Sequence, residues 1–87
     1  MYKEYLKVID KENWRFILYE SQNGNWIGDF SYSPKSFIDL SLLIQLTDSE
    51  KTKAQNDRSF LIELSDLIRN NYNEFMNRAL NRDNFQF

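Results

Sequence analysis

Two stretches of the chain alternate apolar and polar side chains, which is the pattern of β-strands that bury one face. The first runs from Trp14 to Ser33 and contains Asn23 and Gly24, a pair that favours a tight hairpin turn. The second covers residues 37–46, where apolar residues recur at every second position. Pro34 separates the two stretches because it lacks a backbone donor. The pattern predicts a hairpin over 14–33 and a third strand over 37–46.

The length of the hairpin turn decides which side chains share a face. A two-residue turn pairs Ile17 with Phe30 and mixes apolar and polar residues on both faces. A three-residue turn over 22–24 pairs Phe16 with Phe30 and separates them cleanly. Because a shift of one residue exchanges the two faces, we predict the three-residue turn, with Gly24 in a left-handed conformation.

This register predicts the composition of each face of the hairpin. Trp14 pairs with Tyr32 on the apolar face, which we expect to form the core. Tyr19 and Asp29 lie on the opposite face, which we expect to meet solvent. The register therefore predicts an exposed surface with aromatic and acidic side chains.

Residues 2–9 fit two patterns. Leu6 and Val8 alternate as in a short edge strand, whereas Tyr2, Leu6 and Ile9 also fit one face of a helix. We favour the strand, which makes an antiparallel sheet of three to four strands.

Two helices are predicted after the strands. Thr47 and Glu50 have the spacing of a capping box, which begins a short helix over about 48–54. A long helix follows over about 58–80, because apolar residues recur from Phe60 to Leu80 at helical spacing. The apolar stripe of this helix matches the apolar face of the sheet. We therefore predict one α+β domain over residues 1–87, with both helices packed on one face.

Composition argues against several kinds of site. The 87 residues include no Cys and no His, which removes thiolate ligands, disulfides and the commonest general base and metal ligand. Neither glycine belongs to a phosphate-binding loop. We expect no catalytic residues, no cofactor and no metal site. No apolar run approaches the ~18–20 residues of a membrane span, so we expect a cytoplasmic protein without membrane contact.

The negative net charge of the chain is concentrated in residues 16–50, because cations are scarce there. Residues 16–50 carry five carboxylates and one cation, a net charge of −4, whereas the whole chain carries −2. Tyr and Trp anchor many protein interfaces, and carboxylates attract a basic partner. The predicted partner-binding residues are Tyr19, Glu20, Trp26, Asp29, Asp39, Asp48 and Glu50. The plainer interpretation, in which Tyr19 is a cross-strand pair and the carboxylates are solvated, stays open.

The segments Trp26–Leu46, Ser59–Leu64 and Ile68–Tyr72 resemble small bacterial immunity proteins, which neutralise polymorphic or contact-dependent toxins. The resemblance is one of type: small, acidic, cytosolic, α+β and without catalytic residues. It implies tight binding to one cognate protein toxin, often a basic nuclease. One alternative is a phage or mobile-element inhibitor that mimics nucleic acid with its carboxylates. A small nucleic-acid-binding domain is less favoured, because the acidic sheet repels phosphates. A homodimer through an edge strand also stays open.

Overall fold

Among the residues that the structure describes, five strands form one mixed sheet, and three helices pack on one of its faces. The computed structural model describes residues 3–35 and 38–87, without the side chains at positions 34, 35, 38 and 39. The strands are β1 (Glu4–Glu12), β2 (Phe16–Ser21), β3 (Trp26–Lys35), β4 (Ile38–Gln45) and β5 (Phe85–Gln86), in the spatial order β4-β3-β2-β1-β5. The α+β fold is confirmed. The predicted all-antiparallel sheet of three to four strands is wrong, because β5 adds a strand parallel to β1.

The register between β2 and β3 is the one predicted. Phe16 lies opposite Phe30. The Ser21 N–H donates to the Asn25 carbonyl at 2.8 Å, and the Gly24 N–H donates to the Ser21 carbonyl at 3.0 Å. Gly24 has a φ of 84°, a conformation that costs little without a Cβ. The three-residue turn over 22–24 is therefore confirmed.

The helices cover the face of the sheet that carries Phe16 and Phe30, which we call the helix face. Helix α1 (Asp48–Asn56) begins at the predicted capping box, in which the side chains of Thr47 and Glu50 each accept a backbone N–H from the other residue. Helix α2 (Ser59–Asn70) supplies most of the covering side chains. The buried core here consists of Phe16, Leu18, Phe30, Tyr32, Leu42, Ile44, Leu46, Ala54, Leu61, Leu64 and Ile68.

The long helix predicted over 58–80 is wrong, because α2 ends at Asn70. Asn71 leaves the helical conformation with φ −136° and ψ 39°, and its side-chain Nδ2 donates to the Leu67 carbonyl at 3.2 Å. Two consecutive Asn residues favour such an end, since Asn side chains compete for backbone hydrogen bonds. A single turn α3 (Tyr72–Phe75) and a 3₁₀ turn (Met76–Arg78) follow.

The segment Ala79–Phe87, which we call the C-terminal strap, crosses the other face of the sheet. At one edge the Leu80 N–H donates to the Leu43 carbonyl of β4 at 2.7 Å. At the other edge β5 pairs with residues Glu4 and Tyr5 of β1. Between these edges the strap helps to bury a second cluster, formed by Leu6, Tyr19, Ile27 and Leu43 with Ile17, Leu80 and Phe85 packed against it. A face predicted to meet solvent is thus partly covered by the end of the chain.

Two local predictions are also corrected. Trp14 does not pair with Tyr32 on the core face; its side chain is 85% exposed, and β2 begins only at Phe16. Pro34 does not end β3, which continues to Lys35 with a shift in its pairing to β4 after Tyr32. The choice of a strand near the N-terminus is confirmed by β1, but the predicted edge position is wrong, because β1 lies between β2 and β5.

We expect Gly28→Ala to destabilise the fold, because Gly28 leaves room for the ring of Phe30. A Cβ at this position would lie 2.3 Å from Cε2 and 2.6 Å from Cζ of Phe30, whose side chain is fully buried. Urea denaturation should show the free energy of unfolding lowered by about 1–3 kcal/mol. Gly24→Asn is the control, because no described atom beyond Gly24 and its chain neighbours lies within 4 Å of a Cβ placed there, and Asn tolerates a positive φ. Wild-type stability of Gly28→Ala would contradict this account.

Candidate functional site

The turn between β1 and β2 presents a large aromatic side chain to solvent. The Arg15 N–H donates to the Glu12 carbonyl at 3.1 Å, which closes the turn around Trp14. Trp14 has a φ of 68°, and it is the one residue other than glycine with a positive φ in ranges 3–35 and 38–87. This conformation costs roughly 1–2 kcal/mol for a residue with a Cβ. The indole is exposed, so no burial of apolar surface by this side chain offsets that cost.

Helix α2 holds the turn in place. The Arg69 Nη2 donates to the Trp14 carbonyl at 2.9 Å. The guanidinium of Arg15, the next residue, forms an ion pair with Asp66 of the same helix. The backbone on both sides of the indole is therefore bound to α2, which fixes the position from which Trp14 points into solvent.

Arg58 ties the end of β1 to the start of α2. Its guanidinium donates to Asp10 at 2.8 and 3.0 Å and to Glu12 at 2.9 Å. The hydrogen bonds from Arg58 hold the pKa of the Asp10 carboxyl below its ordinary value. Both carboxylates are thus engaged within the chain. Lys11, which lies between them, has no ion-pair partner among the described residues.

A groove of about 530 Å³ lies beside the turn, on the face of the sheet that the strap crosses. Its lining includes Lys11, Trp14, Ile17, Asp29, Ser31 and Ser41. Ser31 and Ser41 lie opposite each other on β3 and β4, and their small side chains leave a depression in the sheet surface. The strap contacts the groove where the Arg82 Nη2 donates to Asp29 at 2.6 Å and to Ser41 at 2.5 Å.

The turn and the groove together can bind an extended or protruding group. The indole and Ile17 offer apolar contact, the two serine hydroxyls offer hydrogen bonds, and Lys11 offers a charge. In the part of the chain that the structure describes, no cluster of three or more Asp and Glu residues could hold a metal ion. None of the described helices is long and apolar enough to cross a membrane.

Two of the predicted partner-binding residues lie under the strap. Tyr19 is only 7% exposed, and its ring meets that of Phe87 edge to face with centroids 5.1 Å apart. Burial raises the pKa of Tyr19; the nearby Asp29 raises it further, and Arg82 opposes the rise. Asp29 itself is paired with Arg82. The expectation that Tyr19 and Asp29 form an exposed surface is therefore wrong, because the strap covers them.

Glu20 and Trp26 belong to the helix face, opposite the face that carries Tyr19 and Asp29. Glu20 and Trp26 face each other across β2 and β3, and the Trp26 Nε1 donates to Glu20 at 3.2 Å. Asp48 and Glu50 lie in the first turn of α1, where Asp48 is exposed. Asp39 belongs to β4, and its side chain lies outside the described part. The single acidic face inferred from the sequence is thus wrong, while contact of each residue with a partner stays a prediction.

Trp14 and Lys11 are site residues that the sequence pattern does not indicate. Extending the pairing of Phe16 with Phe30 by two residues places Trp14 in the core, which is wrong. The polar run over residues 10–13 does indicate a turn nearby. Alternation alone does not show that this turn extends to Arg15, because Trp14 and Phe16 continue the apolar spacing.

Comparison of the chain with protein-family models, with curated proteins and with solved structures found no match. The Trp14 turn and its groove are therefore the features that bear on function.

Glu50 should make stability depend on pH, because it joins α1 to the segment after α2. Arg78 donates two hydrogen bonds to its carboxylate, at 2.6 and 3.1 Å, and the Thr47 N–H donates a third at 2.8 Å. Burial raises the pKa of Glu50, but these hydrogen bonds outweigh it and leave the pKa below its ordinary value of 4.5. Such a carboxylate stabilises the fold above its unfolded pKa, and the contribution disappears as the pH falls through its folded pKa.

We therefore expect Glu50→Gln to be less stable than the wild type near neutral pH, with a difference that shrinks at acidic pH. Urea denaturation at a series of pH values between about 6 and about 3 measures this. Asp48→Asn removes an exposed carboxylate from the same turn and should leave the acid dependence nearly unchanged. If Glu50→Gln keeps the wild-type acid dependence, the Glu50 carboxylate does not contribute as described.

We expect Trp14→Gly to raise the free energy of unfolding by up to about 1 kcal/mol, since glycine adopts a positive φ without strain. Thermal and urea denaturation measure the change. Asn13→Gly is the matched control in the same turn; Asn13 has no positive φ, so we expect a loss of several tenths of a kcal/mol there. A loss at position 14 as large as the loss at position 13 would show that Trp14 is not strained.

Proposed function

We propose that the protein is a non-catalytic protein-binding module, and that its partner is a cognate bacterial toxin that it neutralises as an immunity protein does. The observation that carries the proposal is the Trp14 turn. The indole of Trp14 is 85% exposed, and the strained backbone that carries it is held by two contacts with α2, through Arg69 and through Arg15.

A fixed, exposed Trp is well suited to anchor an interface. Trp is among the residues whose truncation most often costs large amounts of binding free energy, since it buries a large area. Strained backbone conformations also cluster at functional sites. Because the turn is already ordered by α2, little conformational freedom is lost when a partner covers it. These features support binding of a folded protein surface.

The net negative charge of residues 16–50 supports the proposal less directly than the sequence alone suggests. Asp29 and Glu50 are paired with Arg82 and Arg78 of the same chain, so they are not free to steer a basic toxin. A basic nuclease remains the partner that the resemblance implies, and the exposed Asp48 is the candidate carboxylate for contact with it. Mimicry of nucleic acid receives less support, because a mimic needs its carboxylates unpaired.

The proposal predicts that the gene immediately upstream encodes a large secreted protein with a toxin as its variable C-terminal domain, and the test uses that domain. The wild-type protein should bind the purified toxin domain in calorimetry and restore growth of cells that express it. We expect Trp14→Ala to weaken binding by at least about 30-fold, the effect of one strong interface anchor. Its unfolding temperature should stay close to that of the wild type, because the indole is exposed.

Tyr5→Ala is the matched control. Tyr5 is also a large exposed aromatic residue, at 57%, and it lies at the opposite end of β1 from the Trp14 turn. Its truncation should change toxin binding by no more than about twofold. The proposal fails if the wild type neither binds nor neutralises the toxin, or if Trp14→Ala binds as tightly as the wild type.

A further inference from the structure

We infer that the groove beside Trp14 receives an acidic and apolar segment of the partner, in which an aspartate or glutamate adjoins a large apolar side chain. The groove and the turn form one surface, since Trp14 lines both. The inference rests on the proposed function, because it names the chemistry that the toxin would bring to this surface.

The charge of the groove selects a carboxylate. The other charged side chains that line it are paired within the chain: Glu12 with Arg58, Arg15 with Asp66, and Asp29 with Arg82. Lys11 is the lining charge that has no such pair among the described residues. The ammonium group of Lys11 can therefore bind an incoming carboxylate without first losing an ion pair within the chain. A cationic segment would meet repulsion from the same group.

The shape of the groove accommodates an apolar side chain next to that carboxylate. Ile17 and the indole of Trp14 provide apolar contact, and the space of about 530 Å³ lies in the range of sites that enclose side chains or small ligands. The hydroxyl of Ser31 can exchange hydrogen bonds with the main chain of the segment. The hydroxyl of Ser41 accepts from Arg82 and keeps its own proton to donate.

A titration followed by nuclear magnetic resonance tests this chemistry without the toxin. The probe is an acetylated and amidated tripeptide with one phenylalanine between two glutamates, added to the ¹⁵N-labelled protein to several millimolar. We expect saturating shifts of the amide signals of Lys11, Ile17 and Ser31. The same peptide with lysines in place of the glutamates should bind at least about fivefold more weakly.

Two charge reversals complete the experiment. Lys11→Glu should weaken binding of the glutamate peptide at least about fivefold. Lys3→Glu makes the same change in charge near the far end of β1, outside the groove lining, and should leave binding within about twofold of the wild type. The inference is overturned by equal shifts with both peptides, by shifts confined to other surfaces, or by tighter binding to Lys11→Glu. Occupation of the groove by a second copy of the chain would also overturn the inference, and light scattering would detect the resulting dimer.

The outcome is separable from that of the proposed function. If toxin binding depends on Trp14 but the peptide titration is negative, only the inference about the groove is overturned. If the peptide titration is positive but the wild-type protein binds no toxin, the chemistry of the groove is supported and the proposal that the partner is a toxin is overturned.

Discussion

The pairing of β2 with β3 is the constraint on which the rest of the structure depends. Gly24 adopts a positive φ, the turn takes three residues, and Phe16 therefore meets Phe30. A shift of one residue would exchange the faces. In the observed register the helix face receives Phe16 and Phe30, while Tyr19 and Ile27 point to the other side. Both faces are therefore apolar near the middle of the sheet, and both need a cover.

The end of α2 at Asn70 allows the rest of the chain to cover the second face. The helices cover one face, and a helix that continued to Leu80 would leave the other face open. The chain stops its helix at Asn70 and crosses beneath the sheet as the strap, where Leu80 and Phe85 join the second cluster. The segment after α2 also brings Arg78 to Glu50 and Arg82 to Asp29. Two of the carboxylates in residues 16–50 are thus paired within the fold, so the net charge of a segment is a poor guide to the charge of its surface.

Local patterns predicted the parts of the fold that local physics determines. The hairpin turn at Gly24 and the capping box at Thr47 each depend on a few neighbouring residues. The missed features depend on contacts between distant residues. Arg69 and Trp14 are 55 residues apart, and Arg82 and Asp29 are 53 apart. Alternation and helical spacing contain no information about such pairs, which explains why the strap and the exposed indole were not foreseen. For the same reason the proposed binding surface is divided between the two faces of the sheet, with Tyr19 and Asp29 on one face and Glu20 and Trp26 on the other.

Helix α2 connects the stability of the protein to its candidate binding surface. One side of the helix places Leu64 and Ile68 in the main core, and the other side supplies Asp66 and Arg69 to the Trp14 turn. Moving the turn away from the helix would break an ion pair and a hydrogen bond, and moving the helix would disrupt the core. The backbone from which the indole projects is therefore joined through α2 to the main core. Association with a partner then requires little rearrangement of this side, so its rate should depend on orientation and charge and not on a slow conformational change.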